Sequence, residues 1–130
     1  MVDFDPATDI PSLDGKVIFL TGGTNGLGRD TLLALAKHNP AKIFFTGRNA
    51  SSAEKTITDL KQNAPNVVAK FISIDQSSLA SVQKAAKEFL QESDRLDLLF
   101  CVAGIMALPP GLTKDGYEVS FPFILQSIFN

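Results

Sequence analysis

The sequence predicts an α/β protein built on a parallel sheet, and three observations carry that expectation. Short, near-continuous apolar runs alternate with stretches of helical period along most of the chain. Each pair of apolar runs is separated by enough residues for a crossover helix and too many for a hairpin. Glycine, proline or asparagine punctuates several of the boundaries between runs and periodic stretches. Apolar strands without polar alternation suit a sheet covered on both faces, which is the parallel case.

The elements follow in order. Lys16 to Thr21 (KVIFLT) is a strand, and Leu27 to His38 is a helix with Leu32, Leu35 and Ala36 at helical spacing. Asn39-Pro40 closes that helix, because proline disfavours a helical residue before it. Lys42 to Thr46 (KIFFT) is the second strand. Ser51 and Glu54 have capping-box spacing and are expected to open a helix carrying Ala53, Ile57 and Leu60 on one face. Asn63 to Pro65 ends it, and Val67 to Ile74 forms the third strand. Leu79, Val82, Ala86, Phe89 and Leu90 mark the buried stripe of a third helix, and Leu96 to Val102 (LDLLFCV) is the fourth strand. Residues 1–14 read as a loose leader and residues 105–117 as a loop.

Composition narrows the function classes. The 130 residues suit a single domain, large enough to bury about two-thirds of the unfolded surface. A net charge of −2 with scattered Lys and Arg leaves no electrostatic footprint for nucleic acid. Cys101 is the only cysteine, so there is no internal disulfide and no cysteine-rich metal site. The segment MVDFDPATDIP carries three aspartates and no basic apolar signal. The longest uncharged stretch, Leu98 to Thr113, is too short and too rich in proline and glycine to span a bilayer. A cytoplasmic protein is expected.

The first strand runs into TGGTNGLG, where Gly22, Gly26 and Gly28 have the spacing T-G-x-x-x-G-x-G and a helix follows. That context gives the glycines a purpose. Gly22 turns the chain off the strand, Gly26 lets backbone approach a pyrophosphate, and Gly28 lets the helix pack closely on the sheet. The helix N-terminus presents unpaired N–H groups to the anion. A dinucleotide site that prefers NAD carries a carboxylate about twenty positions further on, for the ribose hydroxyls. Here that place holds Thr46-Gly47-Arg48-Asn49. No carboxylate repels a 2′-phosphate, and Arg48 can engage one bidentately, so NADP(H) is the expected cofactor.

Taken together, TGGTNGLG, TGRN at 46–49, the strand-end Asp75 and LDLLFCVAG at 96–104 resemble the N-terminal half of a short-chain dehydrogenase/reductase. The resemblance covers about residues 14–121 and is nearest to the retinol-dehydrogenase-like, NADP(H)-preferring members. It implies a partial Rossmann fold with strand order 3-2-1-4, flanking helices and later strands missing. The corresponding division is a leader at 1–14, a truncated nucleotide-binding domain at 15–121 and a divergent apolar tail at 122–130. It also implies adenine contacts from Asp75 with Gln76 beside it, and adenosine-ribose contacts from Ala103 and Gly104. The cofactor-binding set is then Gly22, Thr24, Asn25, Gly26, Leu27, Gly28, Arg48, Asn49, Asp75, Gln76, Ala103 and Gly104.

Two departures follow from the resemblance. The family's N-N-A-G at the end of strand four reads Cys101-Val102-Ala103-Gly104, which replaces two asparagine amides by small apolar groups and makes Cys101 a small buried residue. The family's G-x-N-H-L-G-H helix is not matched, its asparagine falling at Ile124, and the catalytic serine and Tyr-x-x-x-Lys pair would lie past Asn130. Tyr117 is followed four residues on by Phe121, not lysine, so no catalytic residue is assigned. Three readings stand at this point: an NADP(H)-dependent oxidoreductase, a nucleotide-binding or interaction module without turnover, and a non-redox isomerase or cyclase on the same scaffold. An uncovered fourth strand and the apolar run Phe121 to Phe129 are expected to cover one another or to support self-association.

Overall fold

A computed structural model of the chain describes residues 3–105 and 109–119. The expected apolar tail at 122–130 lies outside the described residues. Four strands, β1 (Val17–Thr21), β2 (Lys42–Gly47), β3 (Val68–Ser73) and β4 (Leu98–Cys101), alternate with α1 (Gly26–Ala36), α2 (Ala50–Asn63) and α3 (Leu79–Glu92). All the pairings are parallel and the order is β3-β2-β1-β4, as the resemblance implied. Right-handed crossovers place α1 and α2 on one face and α3 on the other.

Alternation along each strand divides the core into two layers. Ile18, Leu20, Ile43 and Phe45 pack with Leu32, Leu35, Ala53 and Leu60 of α1 and α2. Val17, Phe44 and Ile72 face Val82, Ala85 and Phe89 of α3. Phe89 meets Phe19 and Phe44 edge-on, with ring centroids 5.3 and 4.8 Å away. Full burial of a ring such as Phe44 contributes about 2–3 kcal/mol relative to exposure. Asp97 ties the start of β4 to β1, its carboxylate accepting from the Val17 N–H at 2.8 Å.

Several details differ from the sequence expectation. Helix α1 stops at Ala36 and not at His38: Asn39 adopts a left-handed φ of 63°, and its amide meets the Asp14 carboxylate. His38, beyond the helix, donates from Nε2 to the Pro6 carbonyl at 2.8 Å. The stretch read as a loose leader is therefore attached: Leu13 is buried in the core, and its N–H donates to the His38 carbonyl.

Helix α2 opens two residues earlier than the Ser51/Glu54 box. Asn49 is the N-cap, and its side-chain oxygen accepts from the Ser52 N–H at 3.1 Å. Asn49→Ala is expected to cost about 1 kcal/mol of stability, read as a lowered Tm by thermal denaturation.

The α3 stripe is shifted as well. Val82, Ala85 and Phe89 are buried, Ala86 is half-buried, and Leu90 is 69% exposed. Leu90 sits one residue, about 100° of helical turn, past Phe89, and so points toward the open side of β4. With Phe19, Phe89, Leu96 and Leu99 it lines an apolar cavity of 370 Å³. Cys101 is exposed, contrary to its reading as a buried residue, because β4 is the sheet's edge among the described residues. No helix among the described residues is long and apolar enough to cross a membrane.

Candidate functional site

Every parallel strand ends on the same edge of the sheet, and the residues picked from the sequence gather there. Leaving β1, the chain turns at Gly22 with φ 77°, a conformation that side chains disfavour. A Cβ at Gly22 would stand 2.8 Å from the Ala103 Cα, so the turn rests directly on the exit of β4. The Ala103 N–H donates to Thr21 Oγ1 at 3.1 Å and fixes that approach. Asn25 is extended and caps α1, its side chain accepting from the Gly26 N–H at 2.9 Å. The space a side chain would fill at Gly26 is open. Gly28 is the opposite case: a Cβ there would collide with the Gly22 carbonyl.

The turn is also held to β2. The Gly23 N–H donates to the Thr46 carbonyl at 3.0 Å, and Gly47 lies against the Thr24 side chain. Arg48 and Asn49 follow, both exposed. Among the described residues no carboxylate forms an ion pair with Arg48. A cation without a carboxylate partner among the described residues therefore stands beside the positive N-terminus of α2.

These parts enclose one groove of 460 Å³. Ten of the twelve residues named from the sequence line it: Gly22, Thr24, Asn25, Leu27, Gly28, Arg48, Asn49, Gln76, Ala103 and Gly104. Gly26 lies outside the lining, at the start of α1. Leu27 is 74% exposed at the groove's mouth, so its contribution is its backbone and an apolar rim. Thr46, Gly47, Ser52, Ile74, Val102 and Ile105 also line the groove and were not in the cofactor-binding set named from the sequence. Gly47 had a signal, since it directly precedes Arg48-Asn49.

Asp75 is placed differently from the remaining residues. It does not line the groove, and its carboxylate is engaged by neighbours. Oδ1 accepts from the Ser77 N–H and hydroxyl at 3.0 and 2.6 Å, and Oδ2 accepts from Lys114 Nζ at 2.8 Å. The Lys114 ammonium, with help from the Ser77 hydroxyl, holds its pKa at about 2. The Lys114 N–H donates to the Ser77 carbonyl, and Asp115 accepts from the Leu79 N–H, so a loop after β4 is pinned to the β3–α3 corner. Any contribution of this pair to stability is complete above the ordinary carboxylate value of 3.8 and is lost as pH falls through about 2. Lys114 is 69% exposed, so solvent keeps that contribution small. Lys114→Met is expected to raise the Asp75 pKa toward the ordinary range while leaving neutral-pH stability nearly unchanged. A carbon-detected NMR titration of the carboxylates checks both the direction and the size.

The short chain dehydrogenase family matches residues 16–128, most of the chain. This chain belongs to the short-chain dehydrogenase family. A short-chain dehydrogenase/reductase of Armillaria gallica is 42% identical over 114 residues, which cover 87% of this chain and 36% of the relative. The solved Pseudomonas aeruginosa RhlG/NADP active-site complex superimposes with a TM-score of 0.72 at 26% identity, over 97% of this chain and 47% of that one. A xylitol dehydrogenase solved with NAD+ bound has the same TM-score, 0.72, at 23% identity, over 88% of this chain and 45% of its own. The chain spans about a third of the length of the curated relatives it matches. Short-chain dehydrogenases take nicotinamide dinucleotides, and the groove, the glycine turn and the opened N-terminus of α1 suit such a ligand.

Proposed function

We propose that this chain binds NADP(H) across the C-terminal edge of its sheet, as the nucleotide-binding part of an NADP(H)-preferring, retinol-dehydrogenase-like short-chain oxidoreductase. The observation that carries the preference is Arg48, exposed on the groove wall without a carboxylate partner among the described residues. An acidic residue is what a ribose-reading NAD site would place there, and Thr46-Gly47-Arg48-Asn49 has none.

Each part then has a task. The Gly22–Gly28 turn and the α1 N-terminus receive the pyrophosphate, Gly26 leaving its approach open. Arg48 and the start of α2 hold the 2′-phosphate, with Thr24 and Asn49 on the adjoining wall. Gln76 and the Ala103-Gly104 backbone border the adenosine side. Asp75 precedes Gln76 in the chain and is held by Lys114 and Ser77. Bound there, the dinucleotide supplies hydride exchange with a carbonyl or alcohol substrate. None of these residues is assigned the proton transfer that must accompany it, and Tyr117, 48% exposed with Phe121 four residues on, is not assigned it either. The low cysteine content, Cys101 alone, supports a cytoplasmic setting.

Calorimetric titration of the soluble chain with NADPH beside NADH tests the reading. Saturable binding with NADPH the tighter ligand is expected. Absence of saturation by either nucleotide would refute it.

A further inference from the structure

Thr46 borders the groove and carries a buried hydroxyl that has no hydrogen-bond partner among the described residues. Along the α3-facing side of β1 the residues run Val17, Phe19, Thr21, and along β2 the same face carries Phe44 and then Thr46. The parallel register sets Phe19 beside Phe44 and Leu20 beside Phe45, and Thr21 and Thr46 are the next residue on each strand. On both strands, therefore, an aromatic core residue is succeeded by a threonine at the edge where the groove begins. Gln76, past the end of β3, continues the polar line. All three are buried, Thr21 at 8%, Thr46 at 0% and Gln76 at 6% exposure.

The two threonines differ in what they meet. Thr21 Oγ1 accepts from the Ala103 N–H. Thr46 Oγ1 is buried and has no hydrogen-bond partner among the described residues, although Thr46 lines the groove. Valine would fill the same volume on a β-strand with high propensity and no hydroxyl to satisfy. A partnerless buried hydroxyl at such a position is a cost to the fold unless something outside the protein completes it.

We propose that the Thr46 hydroxyl is a ligand-binding group of the groove. It hydrogen-bonds a hydroxyl of the bound nucleotide, or a water bound with it, which reaches Thr46 past the Gln76 side chain. Gln76 suits that part, because it and Ile74 form the wall shared by the groove and the apolar cavity beside α3. The proposal rests on the nucleotide reading of the groove and adds to it a residue that acts from beneath the ligand.

Thr46→Val and Thr46→Ser, titrated with NADPH beside the wild-type chain and melted without it, decide the matter. Thr46→Val is expected to weaken NADPH about fivefold to tenfold, while Thr46→Ser stays within about twofold of wild type. Without nucleotide, Thr46→Val should melt at or above the wild-type temperature, since it removes an unsatisfied group. Unchanged NADPH affinity in Thr46→Val would overturn the proposal while leaving the nucleotide reading intact. So would a Thr46→Val that melts well below wild type, because the hydroxyl would then be bonded within the fold itself. A wild-type chain that binds no NADPH defeats the nucleotide reading and this proposal together.

Discussion

Arg48→Ala is expected to weaken NADPH binding by about tenfold to a hundredfold and to leave NADH within about twofold of wild type. The two nucleotides differ only by the 2′-phosphate, so the ratio of their affinities isolates the group that Arg48 addresses. A hydrogen bond to a charged group contributes about 1.5–3 kcal/mol, and a bidentate guanidinium–phosphate pair sits in the upper part of that range. Arg48 is exposed and without an ion-pair partner among the described residues, so its loss leaves no buried carboxylate stranded and should not lower Tm. Added salt should weaken NADPH more than NADH in the wild type and erase that difference in Arg48→Ala. Equal loss of both nucleotides would remove the 2′-phosphate from the account of this site.

Gly28→Ala is expected to be the most damaging small substitution in the glycine turn. The added methyl group would strike the Gly22 carbonyl, which is backbone and cannot rotate aside as a side-chain tip would. Relief requires α1 to lift from the β1 exit, at a cost of about 2–3 kcal/mol, near the top of the range for overpacking. The same movement displaces the N–H groups that face the groove, so NADPH affinity should fall at least about tenfold. Gly26→Ala provides the comparison. Space is open there and the penalty is confined to its φ of 49°, about 1–2 kcal/mol. Chemical denaturation of both variants ranks them. A Gly28→Ala chain as stable as wild type would mean that the helix is not held by close approach.

Much of the fold was legible because its cause is local. KVIFLT, KIFFT and LDLLFCV are apolar runs that a covered parallel sheet requires, and their strands appear within one or two residues of the expected limits. The glycine turn was legible for a similar reason: Gly22 and Gly26 adopt positive φ, and Gly28 packs against Gly22, six residues away. What escaped notice depends on partners far along the chain. The exposure of Cys101 and Leu90 is a property of what flanks β4, not of either residue. Leu13 enters the core through a bond to His38, and Asp75 is held by Lys114, 39 positions away. Asn49 was read for its place beside Arg48, yet its measurable local duty is to cap α2. Thr46 was passed over because a threonine in a strand has an unremarkable propensity, and only the burial of its hydroxyl makes it informative.

The contact between Gly22 and Ala103 governs when, as well as where, a nucleotide can be held. The turn is written near the start of the chain, but its support, the Ala103 N–H on Thr21, arrives 82 positions later. Pairing of β1 with β4 closes a loop of the same order, a slow, entropically costly step compared with forming α1 or α2 alone. During synthesis the glycine sequence therefore emerges long before it has a floor to rest on. The groove depends on the last of the four described strands to be synthesised, and a nascent chain that has not yet delivered β4 has no assembled groove to offer.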